Sequence, residues 1–432
     1  MALPETSLIL AALLLVLLAG GLWIAVSMIV VGGVAVALFT NTNAGALLAT
    51  TVFGGSTDWA LTALPLFIWM GEILFRTRLA DRMFSGLAPW MSRLPGRLAH
   101  TNVLACGIFA AVSGSSTATT ATIGRITVAE LTRRGYDDKL VLGSLAGSGT
   151  LGILIPPSII MIVYGVAAEV SIPKLFIAGV IPGILLSLLF SAYIVIWALL
   201  YPEKTPPPER AATLVERIAA GRYVIPVVLL IIAVLGSIYT GVATATEAAV
   251  LGVVGTLVLS FVLRSLTWEA FRGSVVGAFR TSCMIGLIIA GAAFLTVSIA
   301  FTGLPRLLAA WVIGLGLSKG MLIAALTVIY LIMGCFVDGI SIVVLTASVF
   351  LPTIRAAGID MVWFGVFLVL VSEMACVTPP VGFNLFVIQS LSGRSIGWTA
   401  RAALPFFFLM VAMVAILTAW PVLATWLPSL IM

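Results

Sequence analysis

The sequence predicts an all-α integral membrane protein built from two related halves of inverted topology, each with about five crossings and one re-entrant hairpin. Three observations lead there: an apolar composition that no soluble fold could bury, an internal repeat at a fixed offset, and a one-sided distribution of positive charge.

Of 432 residues, 62% are hydrophobic and 9% charged, with a mean hydropathy of +1.24, whereas soluble domains carry about a quarter charged residues. Apolar runs at 8–39, 175–200, 223–239, 248–263 and 403–427 mostly reach the roughly 20 residues that a helix needs to cross the hydrocarbon, and the first is long enough for two crossings. The net charge of +6 does not indicate nucleic acid, because Lys and Arg are scattered in ones and twos rather than gathered on one face. The first apolar run lacks a basic leader and a small-residue cleavage site, so no removed signal peptide is expected. Cys106, Cys283, Cys335 and Cys376 lie far apart in apolar segments, which argues against disulfides or a thiolate metal site, and His100 is the only histidine.

At an offset of 223 residues, Pro156 and Pro157 fall on Pro379 and Pro380, Gly135 on Gly358, Asp137 on Asp360 and Pro182 on Pro405, without a gap. The first repeat is therefore placed at 1–200 and the second at 223–432, joined by a charged, proline-rich cytoplasmic linker at 201–222. Expected crossings are 3–20, 21–40, 59–75, 138–168 and 174–200, then 223–243, 246–263, 281–301, 361–392 and 400–427. An odd number per repeat turns the second copy upside down.

The remaining segments, 97–134 and 319–356, are expected as hairpins. The leg from Arg97 to Val112 spans 16 residues, roughly 24 Å at about 1.5 Å per residue, short of the about 30 Å core. Its tip should lie near the midplane, and the second tip near Asp338 and Gly339. With the N-terminus outside, 17 of the 22 Lys and Arg fall in cytoplasmic segments, at 76–97, 133–139, 204–222 and 264–280 and at Arg394 and Arg401. Only Lys174, Arg306, Lys319 and Arg355 fall outside, and Arg125 lies in the first hairpin. The two hairpins then open to opposite faces. Alternating charges between Arg76 and Arg97 suit an amphipathic helix along the cytoplasmic interface.

Two paired elements carry chemistry. Ser113-Gly-Ser-Ser-Thr-Ala-Thr-Thr120 sets hydroxyls and glycine between apolar flanks, which frays a helix and frees oxygens toward a cavity; close helix packing by small residues is the plainer reading. Gly152-Ile-Leu-Ile-Pro-Pro157 is mirrored by Ala375-Cys-Val-Thr-Pro-Pro380. Adjacent prolines strip carbonyls a turn earlier of their donors, and such carbonyls at membrane depth need protein, water or an ion, so these breaks suggest a cation cage rather than a simple kink. Ser115 to Pro156 and Asp338 to Pro379 are both 41 residues apart, so each tip should meet the break of its own half. Carbonyl and hydroxyl oxygens with few formal charges suit sodium better than a transition metal.

Asp338 is the only charge between Lys319 and Arg355, and Glu373 the only one between Asp360 and Arg394. Intramembrane carboxylates are costly and usually functional. Asp338 is the stronger candidate for organising an ion or substrate; Glu373 either does the same or bonds to a neighbouring helix. Glu247 in Thr244-Ala-Thr-Glu-Ala reads as a helix cap.

GSSTATTATIG at 114–124, GSGTLGILIPPSIIMIVYG at 147–165, GVATATEAA at 241–249 and CVTPPVGFNLFV at 376–387 resemble the large membrane subunit of TRAP transporters, the tripartite ATP-independent periplasmic family, over essentially the whole chain. The resemblance implies a bacterial inner-membrane protein resembling sodium-coupled dicarboxylate transporters, with a scaffold and a transport domain that works as an elevator. It also implies two partners, a small four-helix membrane subunit and a soluble periplasmic protein that delivers organic acids such as dicarboxylates, keto acids or sialic acids. One sodium would lie near Ser113, Ser115, Gly152, Ile155 and Pro157, and the other near Gly339, Ala375, Thr378 and Pro380, with Asp338 beside it. Ala375, where the first half has Gly152, and the charge of Glu373 depart from the expected pattern.

The mechanism expected is sodium-driven import with no cofactor, the substrate lying between the tips at Ser116, Thr117, Asp338, Gly339 and Thr378. No G-x-x-x-x-G-K-[ST] sequence is present, which disfavours ATP hydrolysis by this chain. Proton coupling through Asp338 or Glu373 is the alternative within this class. Outside it stand an ion channel, and an intramembrane hydrolase pairing His100 with Ser115 or Ser116, from which it is separated by a full hairpin leg.

Overall fold

The computed structural model describes residues 3–77, 79–206 and 213–431. The described chain is helical with short connections. The first half runs α1 (Leu3–Ala19), α2 (Ile24–Phe39), α3 (Ala44–Ser56), α4 (Ala63–Arg76), α5 (Leu79–Met91), α6 (His100–Ser113), α7 (Ser116–Arg133), α8 (Asp138–Gly149), α9 (Leu151–Leu154), α10 (Ile159–Ala168) and α11 (Ile172–Leu200). After the connecting α12 (Leu214–Gly221) come α13 (Ile225–Tyr239), α14 (Ala245–Val262), α15 (Trp268–Phe301), α16 (Leu304–Gly314), α17 (Lys319–Gly334), α18 (Gly339–Ala356), α19 (Met361–Cys376), α20 (Phe383–Ser392), α21 (Ile396–Ala419) and α22 (Val422–Ile431).

Shifted by 223 residues, α14 falls on α2, α15 on α3 plus α4, α16 on α5, α17 on α6, α18 on α7, α19 on α8 plus α9, α20 on α10 and α21 on α11. Local chemistry repeats with it. Asp137 and Asp360 cap α8 and α19 through bonds from Lys139 N and Trp363 N, each at 2.8 Å. Gly135 and Gly358 supply the positive φ before them, at 81° and 65°. Contacts between the halves are reciprocal: α8 packs on α21 as α19 packs on α11, and α7 packs on α20 as α18 packs on α10. A two-fold relation between the halves generates this exchange.

Among the described residues, five helices are long and apolar enough to cross a membrane alone, and up to eight spans result if each bent pair is counted as one. α1, α2 and α13 are shorter than expected for crossings, with 17, 16 and 15 residues. α11 and α14 leave Ile184, Leu188, Val254, Val258 and Phe261 exposed along apolar faces suited to lipid. α19 differs, because every residue from Trp363 to Cys376 is buried, and so is every residue of α8 from Leu140 to Gly149. The two interrupted helices therefore form the centre, wrapped by protein on all sides. Gly143 and Gly147 let α8 meet α21: a Cβ on Gly147 would stand 2.6 Å from the Phe406 ring, and that ring meets Phe190 of α11 edge-on at 5.4 Å.

Several expected boundaries change. The 44–56 segment is a helix, although Thr50, Thr51, Gly54 and Gly55 dilute its hydropathy; Asn43 starts it by accepting from Ala46 N at 3.1 Å. α15 begins at Trp268 rather than 281, which puts Arg272 and Arg280 on the helix instead of in a loop. Its 34 residues reach roughly 51 Å, so one end runs beyond the about 30 Å hydrocarbon. The connection between α15 and the second hairpin contains α16, and the last expected crossing is divided at Trp420 and Pro421. α5 is amphipathic as expected, with Leu79, Met83, Leu87 and Met91 buried and Asp81 and Ser85 exposed. The linker also carries structure: α12 rests on α5, with Arg217 Nη2 donating to Ser92 Oγ at 3.4 Å and Arg97 donating to the Pro206 carbonyl. Arg78 and Arg210, counted among the cytoplasmic cations, lie outside the described residues.

Candidate functional site

α6 joins α7 at one tip and α17 joins α18 at another, and the chain leaves helix at both proline pairs. α6 ends at Gly114, whose φ of 60° is one that other residues rarely adopt, and Ser115 caps α7 by accepting from Ala118 N at 3.3 Å. The Ser115 carbonyl accepts from Thr119 Oγ1 at 2.7 Å and from Ser113 Oγ at 3.3 Å, and these two hydroxyls are 2.7 Å apart. Facing this tip, the chain leaves α9 at Ile155 and resumes at α10, where Ser158 accepts from Met161 N; the two pieces are bent by 42°. A Cβ on Gly152 would lie 2.7 Å from Ser115 O and 2.7 Å from Ser116 Cα, and one on Gly114 would lie 3.1 Å from Pro157 O. Backbone thus meets backbone where the first sodium set was expected. Ser113, Ser115, Gly152 and Pro157 come together, and Ile155 opens the break in extended conformation with its side chain against Gly183.

The second tip uses different means. Asp338 caps α18, its carboxylate accepting from Ile340 N at 3.1 Å, from Ser341 N at 3.4 Å and from the Ser341 hydroxyl. Cys335 Sγ lies 3.3 Å from Pro379 O, joining this tip to its break. A Cβ on Gly334 would stand 2.2 Å from the Ala375 Cβ. That contact accounts for the missing glycine at 375. The first half has Ala111 and Gly152 at these two positions and the second has Gly334 and Ala375, so the small residue has changed sides. Thr378 Oγ1 donates to Met374 O at 2.7 Å within its own helix, and Pro380 is exposed, whereas Pro157 is buried.

The two tips share one cavity of about 690 Å³. Ser113, Ser115, Ser116 and Thr117 line it from the first tip, Asp338 and Gly339 from the second. Thr378, expected at the substrate, lies outside this wall because its hydroxyl turns back on α19. The opposite wall comes from α4 and α15, through Ile68, Gly71, Glu72, Phe75, Thr281 and Met284. Gly71 allows that approach, since a Cβ there would stand 2.9 Å from Ser113 O. Among the described residues no Lys, Arg or His lines the cavity, and its two carboxylates are those of Glu72 and Asp338. The N-termini of α7 and α18, both 18 residues long, open onto it and offer positive helix-dipole ends to an anion.

Sequence reasoning passed over Glu72 and Asn384. Glu72 pairs with Arg76 at 2.9 Å and looks like an ordinary helix-surface pair, while Asn384 is the one amide in the apolar start of α20 and donates no pattern of its own. Glu247 completes a capping box with Thr244, as expected. His100 is buried, with Nε2 2.8 Å from Pro95 O. It stands at the far end of a 14-residue helix from Ser113, roughly 20 Å away, so no hydrolytic pair with Ser115 or Ser116 forms. Glu373 is buried on α19 beside the Ser116 hydroxyl, with neither oxygen in a hydrogen bond of good geometry.

Comparison with known proteins agrees with this architecture. Residues 11–423 match the family model for the tripartite ATP-independent periplasmic transporter, DctM component. The chain is 36% identical over 399 residues to the C4-dicarboxylate TRAP transporter large permease protein DctM of Pseudomonas aeruginosa, covering 92% of each chain. It is 33% identical over 376 residues to the ectoine/5-hydroxyectoine TRAP transporter large permease protein UehC of Ruegeria pomeroyi, covering 86% of each. The YdaH transporter of Alcanivorax borkumensis superposes with a TM-score of 0.59 at 15% identity, over 87% of this chain and 88% of that one, and so shares the fold. With two interrupted helices, two hairpin tips and one shared cavity in hand, the chain belongs to the DctM large-permease family of TRAP transporters and is a transport protein of the membrane, not an enzyme.

Proposed function

We propose that this chain imports a small organic anion, a carboxylate, across the bacterial inner membrane in symport with sodium, by an elevator movement. A periplasmic substrate-binding protein would deliver the anion, and a small four-helix membrane subunit would brace the scaffold. The observation that carries the reading is a cavity walled by hydroxyls and helix N-termini that, among the described residues, contains no basic side chain. An anion entering such a site needs positive charge brought with it, and cations held at the two tips supply that charge.

The names of relatives that transport C4-dicarboxylates and ectoines support a small carboxylate-bearing solute as cargo. Two packed groups support the elevator. In one, α2, α3 and α14 gather around α4 and α15; in the other, the hairpins and interrupted helices gather around α8 and α19. A second cleft of about 580 Å³ lies between the groups, lined by Gly54, Asp58 and Thr296 on one side and Val163, Leu351 and Arg355 on the other. The groups meet where α4 packs on α6 and α15 on α18, with open space at two places along that boundary. By the charge-based topology Glu72, Phe75 and Thr281 lie toward the cytoplasm, so the tip cavity faces inward in this conformation.

The test is uptake by proteoliposomes containing this chain, its small subunit and the binding protein, under imposed gradients. Uptake should follow the sodium gradient, saturate with substrate and accelerate with an inside-negative potential, because each charge carried gains about 2.3 kcal/mol per 100 mV. Uptake that follows a pH gradient and ignores sodium would assign the coupling to protons instead.

A further inference from the structure

Behind the tip cavity lies a second polar cluster that neither expected sodium set includes. Glu373 of α19 is 1% exposed and Asn384 of α20 is fully buried, as is Thr120 of α7, while Ser116 of α7 is 2% exposed. Ser116 Oγ donates to Asn384 Oδ1 at 3.4 Å and also lies beside the Glu373 carboxylate. Thr120 Oγ1 and Asn384 Nδ2 flank Gly149 of α8, at 1.9 Å and 3.5 Å from where its Cβ would be. Among the described residues, Thr120 Oγ1 has no hydrogen-bond partner and neither Glu373 oxygen has one of good geometry. The missing Cβ at Gly149 is what admits the Thr120 hydroxyl beside Asn384.

A carboxylate this deep either takes up a proton or is paired with a cation. Among the described residues no cation is at hand, for α19 and α20 carry no Lys or Arg, and Arg125 and Arg133 on α7 and Lys139 on α8 are exposed. The oxygens present are a carboxylate, an amide carbonyl and two hydroxyls, all hard donors with one formal negative charge. That set matches a monovalent cation; a divalent ion would leave net positive charge in an apolar interior.

The geometry points to a third sodium site at Glu373, Ser116, Thr120 and Asn384, separate from the two at the hairpin tips. It draws ligands from both halves, joining the first hairpin to the second interrupted helix. Ser116 also lines the cavity, so the ion would stand one side chain behind the substrate anion. This rests on the sodium coupling proposed above and adds a site to it.

The experiment is equilibrium binding of radioactive sodium to the purified chain in lipid nanodiscs, counting ions per chain at saturation. Glu373→Gln should bind one fewer sodium than the parent. Thr120→Val, which removes a hydroxyl with no hydrogen-bond partner among the described residues, should keep the count and weaken one ion about tenfold. If Glu373→Gln does not fold, the Thr120→Val titration decides alone. Parental binding in every folded variant overturns the site and leaves the carboxylate to a proton. A parent chain that binds no sodium at all would instead sink the coupling proposal, which separates the two failures.

Discussion

Gly334 meets Ala375 at the second tip with no room for a Cβ, and exchanging their sizes tests how the tips are held. Carbon atoms rest at about 3.5 Å or more, so a methyl on Gly334, 2.2 Å from the Ala375 Cβ, overlaps it by more than about 1 Å. α19 is buried on every side and cannot retreat, so α17 and the Asp338 tip must move. Overpacking of this kind costs about 1–3 kcal/mol, equivalent to roughly a 5- to 150-fold loss in apparent sodium affinity. Gly334→Ala should therefore raise the half-saturating sodium concentration for uptake by that factor. Ala375→Gly alone should be mild, because it removes a methyl and loses up to about 1 kcal/mol of helix propensity. The double variant restores the first half's arrangement, with alanine on the hairpin leg and glycine on the interrupted helix, and should recover most of the affinity. Sodium titrations of initial uptake on the four proteins form a double-mutant cycle. Parental half-saturation in Gly334→Ala, or a double variant no better than Gly334→Ala, would refute the packing account.

Three further outcomes follow from the geometry. Gly152→Ala drives a methyl into the backbone of Ser115 and Ser116, so sodium titration of uptake should show a loss of about tenfold or more that Ala375→Gly does not relieve. Thr378→Val should leave the apparent substrate affinity unchanged in competition assays, since the hydroxyl bonds Met374 O and faces away from the cavity. Asp360→Ala removes the cap of α19 and should lower stability by about 1 kcal/mol, read as a reduced Tm, with sodium dependence retained.

The repeat was legible because its markers are local. Asp137 and Asp360 cap helices, Gly135 and Gly358 turn the chain, and paired prolines interrupt helices whatever surrounds them. The tips at Gly114 and Asp338 were legible for the same reason: polar and flexible residues stand out in an apolar run. What escaped was tertiary. The exchange of glycine and alanine between positions 334 and 375 reads as a defect in the sequence and becomes a matched contact only when α17 meets α19. Asn384 and Glu72 gain meaning from the helices facing them, which no local pattern encodes. α3 was missed because hydropathy, the strongest signal in a membrane chain, weakens where Thr and Gly are used for packing; α15 was cut short because its charged end continues the helix past the apolar stretch.

The reciprocal wrapping of α8 by α21 and of α19 by α11 means that neither half owns a complete interior. A chain comprising one half alone would present Gly143 and Gly147 of its central helix to hydrocarbon, with nothing to fill the groove that Phe406 occupies here. Such a fragment gains its missing wall only by meeting a second copy turned upside down across a two-fold axis. The covalent connection through α12 makes that encounter intramolecular, and synthesis of the second half is what finishes the first.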